Sequence, residues 1–300
     1  MLKKLFKVLR YRFFRLLAHQ FPKKWADVLF KHYFGRKLNW KSPRDINEKI
    51  NWLKFNHDTS RWSELSDKYE VRKYVEEKGF ADALPRLYGK WDSADDIDWD
   101  SLPQQFVMKV NNGSGDIVLC DDKNKLDKKA VETKMRKLLR LRFGDRFAEP
   151  HYNSIKPCII AEEYLDSEDQ SVKSSSLIDY KIWVLNGKPE FIFVYLNRKQ
   201  GSFYMNIFDT DWNPHPEYAV ETPKALIMRE PIPRPASFDQ MLEMAASLAG
   251  NEPQVRVDLY EVGGKPYFGE LTFTAAGGFL NHFSQEILDI MGDKCKIEFP

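Results

Sequence analysis

The stretch Val255-Arg256-Val257-Asp258-Leu259-Tyr260-Glu261-Val262-Gly263-Gly264-Lys265-Pro266-Tyr267-Phe268-Gly269-Glu270-Leu271-Thr272 reads as a β-hairpin. Val255, Val257 and Leu259 alternate with Arg256, Asp258 and Tyr260, the period-two pattern of a strand with two different faces. The Gly263-Gly264 pair supplies the turn. Asp258 thus shares a strand face with Arg256, and Glu270 stands on the returning strand, where the turn can bring it beside Asp258. Two carboxylates across a hairpin repel unless a cation lies between them. That cation is either a divalent metal or Arg256 itself, neutralising both acids. Magnesium suits the first case, because it takes few carboxylates and fills its remaining positions with phosphate oxygens and water.

Upstream, Tyr180–Leu185 and Pro189–Leu196 form a second hairpin turned at Asn186-Gly187. Its start, Asp179-Tyr180-Lys181, and its end, Arg198, carry charge that suits either a polyphosphate or a solvated strand edge. Further back, Phe106-Val107-Met108-Lys109-Val110 runs into Asn111-Asn112-Gly113-Ser114-Gly115. A lysine on a strand before a loop of small residues can meet a phosphate while the loop aims backbone N–H groups at it; the bland alternative is a hairpin turn with a surface lysine. The short buried strand Cys158-Ile159-Ile160-Ala161 leaves into Glu162-Glu163-Tyr164, able to offer backbone groups to a purine and a carboxylate to a ribose.

Helices are expected over 21–56 with a break at Ser42-Pro43 and Ser42 as N-cap, over 63–78 ended by Gly79, over 126–143, and over 238–250. Further short strands are expected near 84–88 and 105–110. Hairpins mixed with helices, without regular βαβ alternation, indicate an α+β fold on antiparallel sheets. No internal repeat is visible, nor any GxxxxGK[ST], GxGxxG or HExxH motif.

The chain has 300 residues, 43% hydrophobic and 14% aromatic, which excludes disorder as its general state. Cys120, Cys158 and Cys295 are too few for a disulfide framework and lack zinc-knuckle spacing, so buried cytosolic thiols are expected. The six histidines also lack metal-like spacing; His282 either lines the site or packs. The net charge of +2 conceals an asymmetry: residues 1–50 hold fourteen Lys/Arg against three Asp/Glu, and the remainder is net negative. That pattern points to a local anionic partner near the N-terminus and away from a nucleic-acid binder. Residues 1–19, MLKKLFKVLRYRFFRLLAH, space leucines and phenylalanines three and four apart with basic residues between, a strongly amphipathic helix. It either packs on the body or lies on an anionic inner leaflet. The charges forbid the apolar run of a signal peptide, and no segment is apolar enough to span a membrane.

The order of these pieces resembles the ATP-grasp superfamily, and more closely its TupA-like (teichuronopeptide biosynthesis) branch among polysaccharide-biosynthesis proteins. The resemblance runs over roughly residues 40–285. It is carried by Asn47-Glu48-Lys49-Ile50, Asp67-Lys68, Val71-Arg72, Asn112-Gly113-Ser114-Gly115, Asp179-Tyr180-Lys181, Asn186-Gly187-Lys188, Arg198, Asp211-Trp212, Arg256-Val257-Asp258 and Gly269-Glu270-Leu271-Thr272.

The resemblance implies an ATP-grasp fold, two antiparallel-sheet subdomains gripping ATP, with an N-terminal helical extension. The corresponding division is 1–60 helical region, 61–165 subdomain with a glycine-rich lid, and 166–300 subdomain with the magnesium site. It implies ATP and Mg2+ as cofactors. Lys109 would touch the nucleotide, and Asn112, Gly113, Ser114 and Gly115 would close over its phosphates. Glu162, Glu163 and Tyr164 would line adenine and ribose, and Lys181 would meet phosphate oxygens. Arg256, Lys181 and Arg198 would serve catalysis, and Asp258, Glu270 and Thr272 would hold metal. Thr272 stands where the wider superfamily commonly has an Asn; a hydroxyl is a weaker magnesium ligand.

The implied activity is a carboxylate–amine ligase. The implied partners are a uronic-acid-containing glycan or lipid-linked sugar and an amino acid. The implied location is cytoplasmic, peripheral on the plasma membrane's inner face if residues 1–19 contact lipid. The alternatives are a kinase-like phosphotransferase, a glycosyltransferase, for which Asp209-Thr210-Asp211 is a weak signal, and a non-catalytic nucleotide-binding scaffold.

Overall fold

A computed structural model describes residues 16–170, 172–199 and 201–298. The helix expected over 1–19 therefore lies largely outside the described residues. Among these residues the chain forms two sheets flanked by helices, as the mixed pattern of hairpins and helical segments requires.

The smaller sheet has the order β1 (Leu87–Trp91), β4 (Ile159–Glu162), β2 (Phe106–Val110), β3 (Ile117–Cys120), all antiparallel. Phe106, Met108 and Val110 alternate with Val107 and Lys109 on β2. The first set packs with Val131, Met135 and Leu138 of the helix Lys128–Leu139. The second set faces the other way, and so Lys109 is left on the open side of the sheet.

The larger sheet has the order β10 (Lys265–Thr272), β9 (Gln254–Val262), β5 (Asp179–Leu185), β6 (Lys188–Lys199), β7 (Ser202–Phe208), β8 (Ala225–Ile227). Only the β7–β8 pair is parallel among the described strands. One face of this sheet, with Tyr180, Ile182, Val257 and Leu259, packs on Met241, Ala245 and Leu248 of the helix Phe238–Ala249. On the other face Trp183 and Phe193 pack with Ile46 and Ile50 of the helix Ile46–Asn56 and with Ile287 and Met291 of the helix Gln285–Lys294. Asp179, Lys181, Arg256 and Asp258 share that second face at period two, beyond the edge of the apolar cluster.

Three local expectations are corrected. Asp45 rather than Ser42 caps the helix after the break, its Oδ1 accepting from the Glu48 amide at 2.9 Å. The single helix expected over 63–78 is two, Ser60–Ser66 and Val71–Glu77. Asp67 divides them: its Oδ1 accepts from the Tyr69 amide at 2.8 Å and its Oδ2 from Asn111 Nδ2 at 2.8 Å. A polar side chain that bonds its own following backbone competes with helix continuation. Finally, β7 and β8 extend the sheet beyond the two expected hairpins.

Candidate active site

Between the two sheets lies a cleft of about 470 Å³, within the range of sites for small organic ligands. One wall is the open side of the small sheet and its glycine loop; the opposite wall is the charged face of the large sheet. Lys109, Gly113, Ser114, Gly115, Glu162, Glu163, Lys181, Arg198, Arg256, Asp258, Glu270 and Thr272 all line it. The sheets therefore bring twelve of the predicted residues together. Asn112 does not line the cleft and is buried in the loop. Tyr164 lies instead in a shallow depression with Tyr88, Asp121 and Asp122, on the far side of Glu163.

The acid pair is set by strand register. Glu270 on β10 is opposite Asp258 on β9, and Lys181 on β5 is opposite Asp258 on its other side. Both carboxylates are engaged by cations. Arg256 bonds Asp258 through Nε at 2.6 Å and Nη2 at 2.8 Å, and it stands 3.6 Å from Glu270. Lys181 also bonds Asp258, and bonds Asp179 at 3.2 Å. Arg198 pairs with Asp179 at 2.5 Å. Lys68 reaches Glu270 at 3.1 Å. The Thr272 hydroxyl donates to Glu270 Oε1 at 3.2 Å and accepts from Arg256 Nη2 at 3.3 Å.

Burial alone would raise the Glu270 carboxyl, but Lys68, Lys181 and Arg256 more than offset it and hold it well below the usual range. Burial works against the Arg256 charge, and Asp258 followed by Glu270 overcomes it, so the guanidinium is held protonated more firmly than usual. Arg256 thus contacts both acids, Asp258 through two hydrogen bonds and Glu270 at 3.6 Å. Among the described residues no group of three or more His, Cys, Asp or Glu is placed to hold a metal. Two carboxylates and a hydroxyl on one cleft wall fit magnesium, which draws its other oxygens from phosphate and water; they do not make an all-protein cage.

Opposite, Lys109 pairs with Glu162, whose other oxygen accepts from Arg72 Nη1 at 3.1 Å. Glu163 Oε2 accepts from the Arg86 amide at 3.0 Å. The glycine loop is anchored at its base by Asn111, whose Oδ1 accepts from the Cys158 amide at 2.8 Å. Lys68 belongs to one of the motifs that carry the resemblance, Asp67-Lys68, but has no site role in that reading. Its Nζ donates to the Gly113 carbonyl at 2.7 Å while contacting Glu270, tying the loop to the acid pair. Only the contact between the two sheets reveals that role, since the lysine sits in the break between two helices.

The cleft has an apolar end and a mixed end. Val107, Ile117, Leu119, Leu165, Leu177 and Phe268 line the first. Ile117 and Leu119 are exposed on β3, a pair of apolar side chains open to solvent that suits the face of a purine. At the other end stand Tyr152, Glu149, Thr274, Arg146 and Phe147. Burial pushes the Glu149 carboxyl up, and Thr274 donates to it at 2.6 Å. Burial lowers Lys54 behind it, whose Nζ donates to the carbonyls of Phe147 at 3.0 Å and Gly277 at 2.8 Å. His282 bonds Tyr195 at 3.2 Å, and burial lowers it to about 4; it packs behind Tyr195 and does not line the cleft.

Two sheets facing one another across a cleft, one with a lysine and glycine loop and the other with a paired acid site, define an α+β protein of the ATP-grasp class. The profile of TupA-like ATP-grasp proteins matches residues 48–296, and the chain belongs to that family. ATP-grasp enzymes use ATP and Mg2+. A D-alanine–D-alanine ligase from Bacillus anthracis complexed with ATP is similar in structure at 15% identity and TM-score 0.42, over 70% of this chain and 55% of that one. The chain thus spans about half the length of that ligase. The D-alanine–D-alanine ligase from Helicobacter pylori gives 11% identity and TM-score 0.44, over 85% of this chain and 68% of that one. The ATP-grasp ligase PsnB complexed with a minimal precursor gives 13% identity and TM-score 0.41, over 83% and 65%. No curated protein matches the sequence.

Proposed function

We propose that the protein is an ATP- and Mg2+-dependent carboxylate–amine ligase of cell-surface polysaccharide biosynthesis. A carboxylate is phosphorylated at the expense of ATP; an amine then attacks the acyl phosphate, giving an amide, ADP and phosphate. The observation that carries this reading is the concentration of three cationic side chains, Lys68, Lys181 and Arg256, around the Asp258 and Glu270 carboxylates on the cleft wall, with Arg198 beside them on Asp179.

The protein's part is positioning and charge compensation, which dominate phosphoryl transfer. Asp258 and Glu270, with Thr272 beside them, would hold magnesium, which would neutralise charge on the phosphates. For that to happen Lys181 and Arg256 must release part of their hold on Asp258, and each then has N–H donors to give to phosphate or acyl oxygens. Lys109 faces the cleft from the opposite wall, with Glu162 fixing its position. Val107, Ile117, Leu119 and Phe268 would take the base. Gly113, Ser114 and Gly115 cover the middle of the cleft, where exclusion of water protects an acyl phosphate.

We assign a uronic-acid carboxylate as the activated group and an amino acid as the amine. Support for that comes from the family's association with surface polysaccharide. The test is mass spectrometry of reactions with ATP, Mg2+, candidate uronosides and amino acids. A ligase releases free phosphate and forms an amide of the summed mass less water. A phosphoryl group retained on a sugar hydroxyl, with no amide, would establish the kinase-like alternative instead.

A further inference from the structure

The first described residues form a surface of unusual composition. A helix ends at residue 20, and the next, Pro22–Phe34, follows after Phe21. Ala26, Leu29 and Phe30 are buried in a cluster with Leu38 and Phe279. On the outer side Leu16, Phe21 and Val28 are exposed, although they are large and apolar. Phe21, Lys24, Val28 and Lys31 recur at three- and four-residue steps and so form one stripe. Exposed Lys23 and Lys37 flank it. The one acid between residues 16 and 37 is Asp27, and its carboxylate accepts from Trp40 Nε1 at 2.7 Å. Arg36 is paired with Asp45 and Glu48 and adds little outward charge.

We propose that this stripe docks on the surface of an anionic lipid bilayer. An interfacial helix needs apolar side chains to enter the headgroup boundary and cations around them to meet the lipid phosphates. Both are present here, with Asp27 the one acid among residues 16–37. The charge argues against a second copy of the chain as occupant, because a twofold contact would set these lysines against one another. The stripe lies beyond most of the 1–19 segment, and residues 1–15 are outside the described structure.

The position matters for the cleft. Trp25 Nε1, on the same helix, donates to the Arg146 carbonyl at 3.2 Å, and Phe147 packs against the cluster beneath the helix. Arg146 and Phe147 both line the mixed end of the cleft. Docking therefore brings that end close to the bilayer, where a lipid-carried acceptor would arrive. This last consequence rests on the ligase reading; the docking does not.

Cosedimentation of the full chain with vesicles tests the docking, with no nucleotide present. Vesicles of phosphatidylglycerol and phosphatidylcholine in equal parts should carry the protein down, and pure phosphatidylcholine vesicles should not. The variant combining Lys23→Glu, Lys24→Glu and Lys31→Glu should lower partitioning about tenfold or more. Phe21→Ser with Val28→Ser should lower it as well, and added salt should weaken the wild type. Unchanged thermal melts keep the comparison valid, since all five side chains are outside the core. Failure of the wild type to sediment with anionic vesicles overturns the proposal. So does equal binding of the lysine variant, which would put lipid contact elsewhere. A protein dimer broken by these substitutions, without vesicle binding, would overturn it in favour of self-association.

Discussion

Glu270 stands opposite Asp258 because Gly269 is an extra residue in its strand. The pairing runs Phe268 to Leu259 and then Glu270 to Asp258, so Gly269 has no partner of its own. In unbroken register Glu270 would fall opposite Val257 and turn to the apolar face. The bulge re-aims it, a common device beside active sites. A Cβ at Gly269 would come 2.8 Å from the Asp258 carbonyl oxygen. We therefore expect Gly269→Ala to displace the bulge, costing about 1–3 kcal/mol of stability and most of the magnesium-dependent turnover, with no ligating group removed. Chemical denaturation and ADP release measure the two effects. Wild-type turnover in a folded Gly269→Ala variant would show that the alignment of the acids is not required.

Asp258→Asn and Glu270→Gln separate a structural from a functional demand. Asp258 is 1% exposed and compensates both Lys181 and Arg256. Removing its charge leaves two buried cations short of a partner, so about 3 kcal/mol should be lost. Glu270 has a quarter of its side chain exposed, and Glu270→Gln should cost less, about 1.5 kcal/mol, for the lost bonds to Lys68 and Arg256. Both should lower magnesium-dependent turnover about 100-fold or more. The expected signature is unequal melting with equally severe loss of activity. If activity instead tracked stability alone, the two carboxylates would be structural.

Lys68 joins the glycine loop to the acid pair through Gly113 and Glu270. Lys68→Met keeps the aliphatic stem and removes both bonds. It should loosen the 111–116 loop and free Glu270 from its nearest cation. Amide exchange in the loop should speed up while exchange in β9 and β10 stays slow. Nucleotide affinity should fall about tenfold, the effect of about 1.4 kcal/mol. Unchanged exchange in the loop would show that Asn111 anchors it alone.

How far this could be read in the sequence depends on the kind of interaction. The hairpins at Asn186-Gly187 and Gly263-Gly264 are local, dictated by residues that accept positive φ, and both form. The α+β class follows from them. The ATP-grasp assignment came from the order of motifs over a long span, and the family profile bears it out. The break at Asp67 combines a local bond to the Tyr69 amide with one to Asn111, 44 residues away, and the second is not legible in the neighbouring sequence. Tyr152 and Glu149 carry no mark in their neighbouring residues, and the motif Asp67-Lys68 does not say what Lys68 touches; only packing turns all three toward the cleft. The bulge at Gly269 was legible as a glycine in a strand, but its effect on parity needed the partner strand.

His151 offers a test at acid pH. Its ring is buried, and among the described residues neither nitrogen finds a hydrogen-bond partner. It lies edge-on to Trp62, with centroids 5.7 Å apart, and 4.4 Å from the Tyr152 ring. Burial, with Lys54 adding repulsion, pushes it down from 6.5 to about 3. Below pH 6.5 the unfolded chain binds a proton there that the folded protein refuses. Its contribution is fully present above pH 6.5 and is lost progressively as pH falls toward 3. The slope approaches 1.4 kcal/mol per pH unit, that of one proton. His282, lowered to about 4, adds a second such loss over a narrower window. His151→Phe keeps the ring packing and removes two unpaired polar atoms, so stability at neutral pH should hold or rise. Between pH 6.5 and 4.5 the variant should lose about 1.4 kcal/mol per pH unit less than the wild type. Urea unfolding at several pH values in that interval decides it. Parallel curves for the two proteins would mean that the acid-sensitive proton binds elsewhere.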